Sequence, residues 1–446
     1  MIRSIVITVF LLFSAHVLIQ SQTKSLELNK KIFKAVEAQV QKTNELYVDL
    51  HQTPELSLME FKTAEKMAYQ LKQLGFEVTT NFGGNGVVGV FKNGDGKTIM
   101  LRTDMDALPI KENTGLPYAS SIVMNNSEGI ESPVMHACGH DMHMTTWLGI
   151  LTTLVELKNE WKGTILAIAQ PAEEISGGSI EMINAGLFKK FPKPDVALCY
   201  HVSAEIPAGE IGYFPGPIFA GVNSVNLTIF GVGGHGAMPH TTVDPIVLAS
   251  RTVLALQTIV SREINPFNPA VVTIGSIHGG SKHNIIPDEV NMQLTIRFFT
   301  DEVYAEICEA INRIPKGIAI SAGLPEDKWP KVEIKKEFTP PVANNPELVL
   351  STVKSMQEIL GEENVYQVNP ATVGEDFGKY GRTEEKIPIA LFWLGSVNRQ
   401  KYDDYLNNAK VLPGLHNSAY LPDFEPTFKT GVAAMSKSVI NLFNKK

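Results

Sequence analysis

The order of elements between residues 222 and 337 constrains this chain more than any other feature. Strand patterns over 222–230, 269–278, 288–299 and near 331–337 are interleaved with helical patterns over 244–262, beginning near Asp244-Pro245, and over 301–322. The order β-α-β-β-α-β is the split βαβ, or ferredoxin-like, pattern, which makes a small α+β sandwich of its own. Its flanks differ in texture. From about Leu26 to Tyr213, helical stretches over 26–48, 62–74, 141–157 and 179–187 alternate with apolar strands near 86–92, 98–102, 164–169 and 195–200. That alternation predicts an α/β layer around a largely buried sheet. A Gly/Pro-rich passage from Pro207 to Gly221 punctuates the chain before the insertion, and Pro340-Pro341 and Asn344-Asn345-Pro346 mark its exit. Residues 346–446 return to helix, strand and loop and are expected to close the first sheet. The fold class expected is α/β: a domain with a mixed, mostly parallel sheet flanked by helices, formed by 23–216 and 341–446, carrying an inserted ferredoxin-like α+β domain over 217–340.

With 446 residues the chain is too long for one compact core, which agrees with two domains. A net charge of −8 and a pI near 5.8, with scattered Lys and Arg, leave no basic surface for a phosphate backbone, so nucleic acid is not an expected partner. Arg3 precedes the apolar run Ile5 to Ile19, which ends in polar Gln20 to Lys24. The run is short for a bilayer span, and His16 interrupts it. Residues 1–22 therefore read as a signal peptide cut near Ser21 to Thr23, with an uncleaved anchor as the alternative. The expectation is a secreted or periplasmic protein, with no membrane segment in its mature form. Three cysteines, Cys138, Cys199 and Cys308, are too few for a disulfide framework and odd in number. A thiolate bound to metal would be protected from oxidation, and Cys138 is suitably placed for that. Cys199 and Cys308 read as core residues.

The densest chemical signal is His136-Ala-Cys-Gly-His-Asp-Met-His143, which offers four N/S ligands in eight residues before a helix. Thiolate and imidazole suit zinc and its neighbours, and Gly139 lets the chain turn so that Cys138 and His140 can face one point. A second element, Gly163 to Glu174, is a buried strand that delivers two adjacent carboxylates into the turn Ser176-Gly177-Gly178. One can ligate metal while its neighbour reaches a water, the division of labour that metal-assisted hydrolysis requires. Taken alone, the pair could also be a solvated loop tip. Val196 to His201, Gly414-Leu-His-Asn417 and Arg102-Thr-Asp-Met-Asp106 add further candidates, several at strand ends, where open α/β sheets place their sites. The insertion contributes His235 among glycines, Asn284 in a loop before Pro287, and Arg297 in an alternating strand. Arg297 suits either a substrate carboxylate or a neighbouring Asp or Glu.

These motifs resemble the M20 metallopeptidases, in particular the aminoacylase-like amidohydrolase branch of N-acyl-amino-acid, hippurate and auxin-conjugate hydrolases. The likeness runs from about residue 36 to 440. It rests on Arg102 to Pro109, His136 to Asp141, Gln170 to Glu174, Gly233 to His240, Asn284 to Asp288 and Gly374 to Phe377. The resemblance implies that Cys138, His140, Glu174, His201 and His416 hold two divalent metal ions (Zn, Mn, Co or Ni), with the Cys138 thiolate bridging. It further implies that Glu173 is the base that activates water and later protonates the leaving amine. Arg102 stands where other members have a metal-binding His, leaving Asp104 an orienting part. The insertion resembles a lid and dimerisation domain with hinges near Gly216–Gly221 and Thr339–Asn344, so a homodimer is expected. By the same resemblance His235, contributed by the other subunit of the dimer, would polarise the scissile carbonyl or stabilise its oxyanion, and Asn284 and Arg297 would engage the substrate carboxylate.

Ser203, Asn223, Met142 and the tail Asn417-Ser-Ala-Tyr420 depart from the branch pattern, which bears on the acyl pocket and not on a ligand or Glu173. The expected reaction is metal-dependent hydrolysis of the amide of an N-acyl amino acid or short peptide, releasing a free amino acid. The alternatives are a carboxypeptidase or dipeptidase of the same family, or a binding protein that kept the fold. A closed structural metal site would have no use for the spare carboxylate.

Overall fold

The structure, a computed structural model, describes residues 2–126, 129–336, 338–407 and 410–445, with 2–22 as helix backbone only. The chain divides into two compact units, one of Met1–Pro215, Asn344–Val368 and Tyr380–Lys446, the other of Gly216–Ala343 and Asn369–Lys379. In chain order the elements that position the site are α1 (Ile2–Gln52), α2 (Phe61–Gln73), β1 (Glu77–Thr79), β2 (Val87–Lys92), β3 (Thr98–Asp104), α3 (His140–Glu156), β4 (Thr164–Gln170), β5 (Val196–Pro207) and β6 (Ile211–Tyr213). The second unit carries β7 (Gly221–Phe230), α4 (Pro245–Thr258), β8 (Val271–Gly279), β9 (Glu289–Phe298), α5 (Asp301–Ser321) and β10 (Lys331–Ile334). The chain then returns through α6 (Pro346–Leu360), β11 (Val365–Gln367), β12 (Ile389–Val397) and α7 (Phe424–Asn444).

The first unit is built on an eight-stranded sheet of order β1-β2-β4-β3-β5-β12-β6-β11. Its four central strands, β4, β3, β5 and β12, run parallel, while β1–β2, β2–β4 and β12–β6 pair antiparallel. The mixed, mostly parallel sheet expected from the sequence is therefore present. Central parallel strands are covered on both faces and so read as continuous apolar runs. Ile99, Met100 and Leu101 of β3 and Ile165 to Ala169 of β4 are all buried. The pairing Asp104↔Gln170 brings the carboxyl ends of β3 and β4 to one edge, where open α/β sheets place their chemistry.

Strand β5 departs from expectation. The pattern predicts a strand ending at His201, yet β5 continues to Pro207, because β12 supplies parallel partners from Ala197↔Ile389 through Pro207↔Val397. His201 thus lies midway along a strand, paired with Trp393.

Helix α3 packs against α7 at very short range, and Gly149 permits the approach. A Cβ on Gly149 would lie 2.6 Å from both Phe428 and Val432. Since overpacking of a filled core costs about 1–3 kcal/mol, Gly149→Ala is expected to lower the urea midpoint of the first unit. An unchanged midpoint would mean that the two helices part without cost.

The second unit holds a four-stranded antiparallel sheet of order β8-β9-β7-β10, with α4 and α5 contributing to its core. Period-two alternation sends Val225, Leu227 and Ile229 of β7 and Met292, Leu294 and Ile296 of β9 inward. Asp244 caps α4 by accepting from the Ile246 N–H at 2.8 Å, with Pro245 in the first turn.

Candidate metal centre

The site is assembled from the loop before α3, the turn after β4, the middle of β5 and the loop around His416. Gly139 precedes α3 in the left-handed region (φ 77°), and a Cβ there would meet Val202 at 2.6 Å and Tyr420 at 3.3 Å. Only glycine fits both the dihedral and the space. The reversal sets Cys138 and His140 on either side of it, so that the Cys138 Sγ and a ring nitrogen each of His140 and His201 lie within 4.8 Å of one another. Cys138 Sγ is 3.5 Å from His201 Nε2.

After β4, Ala172 adopts φ 51°, a strained choice for a residue with a Cβ, and its N–H donates to the buried Glu60 carboxylate at 2.7 Å. The turn that follows presents Glu173 and Glu174. Ligand atoms of both lie within 4.8 Å of one from His140, and Glu174 forms a second such group with Cys138 and His416. His416 also has a positive φ, 61°, and its N–H donates to the Ala137 carbonyl at 2.8 Å. That bond ties the C-terminal loop to the Cys138 segment. Tyr420 anchors the unusual tail, buried beside Gly139 with its hydroxyl 2.9 Å from Ser396 Oγ.

The orientation of each imidazole follows from its backbone partner. His140 Nδ1 donates to the Asp106 carbonyl at 2.8 Å, and His201 Nδ1 donates to the Val202 carbonyl at 2.8 Å. Each ring is thereby left with Nε2 as a lone-pair donor turned to the cluster, the arrangement in which histidine binds metal. His140 Nε2 and Glu174 Oε1 are buried without a hydrogen-bond partner, 3.8 Å apart. Burial, more than any neighbour, pushes the Glu174 carboxyl up to about 7. A buried cluster of lone pairs facing one another is unfavourable unless a cation sits among them. The Cys, His and carboxylate donor set fits borderline divalent ions.

The structure divides the eight-residue motif differently from a list of ligands. His143 accepts from the Val202 N–H at Nε2 (2.8 Å), so its Nδ1 proton donates to Asp104 Oδ1 (2.7 Å) and neither nitrogen is free for metal. Burial also lowers its pKa, in keeping with a neutral ring. His136 is buried with neither nitrogen hydrogen-bonded, and burial lowers its pKa to about 4. Asp104 itself lies between His143 and Arg102, whose Nη1 donates to its Oδ2 at 2.7 Å. Burial opposes its charge, but His140, His143 and Arg102 hold its carboxyl well below the usual range.

Other contributors received no individual role from the sequence. Asp106 Oδ2 accepts from Ser57 Oγ at 2.6 Å and from the Glu174 N–H at 2.9 Å, while its own carbonyl receives His140. It therefore orients two candidate ligands at once. Glu60 also accepts from the Leu58 N–H and from Asn85, and burial raises its pKa to about 7. His51 lies buried between Asp141 and Glu112. Burial opposes its charge, but hydrogen bonds to the two carboxylates prevail and raise its pKa to about 10. The signal that could have drawn notice to these residues was polarity within apolar surroundings, but the partners that reveal their use are distant in sequence, as His51–Asp141 (90 residues apart) and Glu60–Ala172 (112) show.

In the second unit, His235 and Asn284 come together on a two-stranded ribbon with the pairings His235↔Ile285 and Gly234↔Ile286. The Gly236 N–H donates to the Asn284 carbonyl at 2.9 Å. His235 Nδ1 accepts from the Ala237 N–H at 3.0 Å, so the ring proton resides on exposed Nε2. Arg297 lies in β9, opposite Val222 and Val271, half-buried and with no ion pair among the described residues. Burial alone lowers its pKa. The three cysteines are free thiols: Cys138 and Cys199 are buried and Cys308 is half-buried.

A two-unit α/β fold with an N/S/O ligand cluster beside a spare carboxylate defines the class of metal-dependent hydrolases. A family model for Peptidase family M20/M25/M40 matches residues 100–416, and the chain belongs to that family. It is 34% identical over 400 residues to Thermostable carboxypeptidase 1 of Saccharolobus solfataricus, covering 89% of this chain and 94% of that protein. It is 35% identical over 392 residues to N-acetyldiaminopimelate deacetylase of Limosilactobacillus reuteri, covering 87% and 94%. Among solved structures it is similar to a Bacillus subtilis dinuclear metal binding peptidase of the M20 family, with a TM-score of 0.74, 27% identity, and coverage of 92% of this chain and 100% of that one.

The comparisons overturn the expectation of a signal peptide over 1–22 and of a secreted or periplasmic enzyme, because the deacetylases to which the chain is similar are cytoplasmic enzymes. The side chains of 1–22 lie outside the described residues, and the backbone of 2–22 forms the first part of α1. A short apolar helical run at a chain start has the same pattern whether it is an export signal or the first turns of a helix. Among the described residues, no helix is long and apolar enough to cross a membrane.

Proposed function

We infer that this protein hydrolyses the amide bond of N-acyl amino acids or of short peptides at their C-terminal residue, releasing a free amino acid. The observation that carries this reading is the buried cluster in which His140 Nε2 and Glu174 Oε1 lack partners, with Glu173 Oε2 3.9 Å from the same nitrogen. Cys138, His140, Glu174, His201 and His416 would hold two divalent ions, which supply Lewis acidity that polarises the carbonyl and lowers the pKa of water. Glu173 takes a proton from the attacking water and returns it to the leaving amine, so one carboxylate serves both halves of the reaction. Asp104 keeps His143 in the tautomer that accepts the Val202 N–H, which fixes the strand bearing His201.

His235, with its proton on Nε2, is the donor for the developing oxyanion. Asn284 and Arg297 engage the substrate carboxylate. A half-buried guanidinium with no internal counter-ion supports that assignment for Arg297. Residues 217–340 serve as lid and dimerisation domain. In support, β8 is an outer strand of its sheet, with Ile277 half exposed, and an unpaired edge of this kind invites a second copy of the chain.

Both a carboxypeptidase and a deacetylase stand among the relatives. The test is amino-acid release from acetyl-, benzoyl- and aminoacyl-amino acids by protein reconstituted with zinc or manganese. Release from the acyl compounds is expected, and faster release from the aminoacyl compounds would assign a peptidase instead. No release from any of them, by protein that binds two metals per chain, would overturn hydrolysis in favour of binding.

A further inference from the structure

His51, outside the ligand set, joins the two segments of the first unit that are farthest apart in sequence and carry candidate ligands. It stands in the last turn of α1, with Nδ1 2.7 Å from Asp141 Oδ2 and Nε2 3.1 Å from Glu112 Oε1. The side chains of all three are almost wholly buried. Both ring nitrogens face carboxylate oxygens, which only accept, so both nitrogens donate and the imidazole bridges two anions. Tyr47 and Tyr118 pack on the ring, with centroids at 5.7 and 5.5 Å, and shut out water that could replace either bond.

Each carboxylate leads to a different ligand segment. Asp141 directly follows His140, and its other oxygen accepts from the Met142 N–H at 2.8 Å, which fixes the first turn of α3. Glu112 accepts from the Ser120 N–H at 2.6 Å and from Thr114, which orders the loop around it. The neighbouring Asn113 N–H donates to the Ser418 carbonyl at 2.7 Å, two residues beyond His416. His416 in turn donates to the Ala137 carbonyl, next to Cys138. The contacts close a circuit from His140 through Asp141, His51, Glu112, Asn113, Ser418 and His416 back to Cys138.

We propose that His51 is a positioning residue that sets the spacing between the Cys138–His140 segment and the His416 segment, and thereby the affinity of the two-metal site. The proposal rests on the metal-dependent reading of the site. It is tested by titrating zinc into the metal-free full chain against a chromophoric competing chelator, with thermal unfolding of the same metal-free samples alongside. Outer-shell changes around metal ligands cost about 10–100-fold in affinity. His51→Gln, which cannot give each carboxylate a charged donor, is expected to bind its weaker zinc that much less tightly. Metal-free unfolding should stay within a few degrees of the unsubstituted protein, and excess zinc should restore hydrolysis. If His51→Gln does not fold, Glu112→Gln keeps the imidazole, removes one anion and carries the same expectation. Unchanged zinc affinity in the folded variant overturns the proposal, as does a loss matched by an equal loss of metal-free stability, which would assign His51 to the fold alone. Fewer than two zinc ions in the unsubstituted protein would overturn the metal reading itself, a result distinguishable from either of these.

Discussion

Glu173→Gln is expected to lower kcat by about 10²–10⁴-fold while two zinc ions stay bound. The amide fills the volume of the carboxylate but cannot take a proton from water or pass one to the leaving amine. Glu173 is buried, and its Oε2 lies 3.9 Å from His140 Nε2, so it borders the cluster without being needed for the orientation of His140, which rests on the Asp106 carbonyl. KM should change little, because an interaction made only in the transition state affects kcat and kcat/KM alike. Steady-state kinetics with metal analysis of the same preparation decides the matter. A variant within tenfold of the unsubstituted rate would remove Glu173 from the proton path.

Chelation is expected to bring hydrolysis to background, and added zinc or manganese to restore it. Lewis-acid stabilisation is worth several kcal/mol, which corresponds to about 10³-fold or more in rate. Cys138→Ala should not be restored in this way. The substitution removes the sulfur that lies 3.5 Å from His201 Nε2 and groups with Glu174 and His416, so both halves of the cluster lose a shared member. If Cys138→Ala retained two zinc ions and full activity, the cysteine would belong to the packing and not to the ligand set.

Much of the architecture was legible in order and periodicity. Period-two alternation in β7 and β9 was readable because one face of that sheet is covered and the other is not. The apolar runs of β3 and β4 were readable for the opposite reason, burial on both faces. The length of β5 was not readable, because residues 202–207 are held as strand by β12, a partner nearly two hundred positions later in the chain. The N-terminal run was misread, since export signals and helix starts share one local pattern.

At the site, the sequence by itself determined which chemistry is available. Cys138, Gly139 and His140 lie within one turn of chain, so their convergence is a local matter of spacing and of one left-handed glycine. The paired Glu173 and Glu174 were local in the same sense. Tertiary structure alone decided how the other polar residues are used. His143 looks as good a ligand as His140 in sequence, but its two nitrogens are taken by Asp104, 39 residues away, and by the Val202 N–H, 59 residues away. His51 reads as an ordinary helix-end histidine until folding sets it between Glu112 and Asp141. A side chain's identity fixes what it can donate or accept, but which of those capacities remains for a metal or a substrate depends on partners that only the folded chain brings within 3 Å.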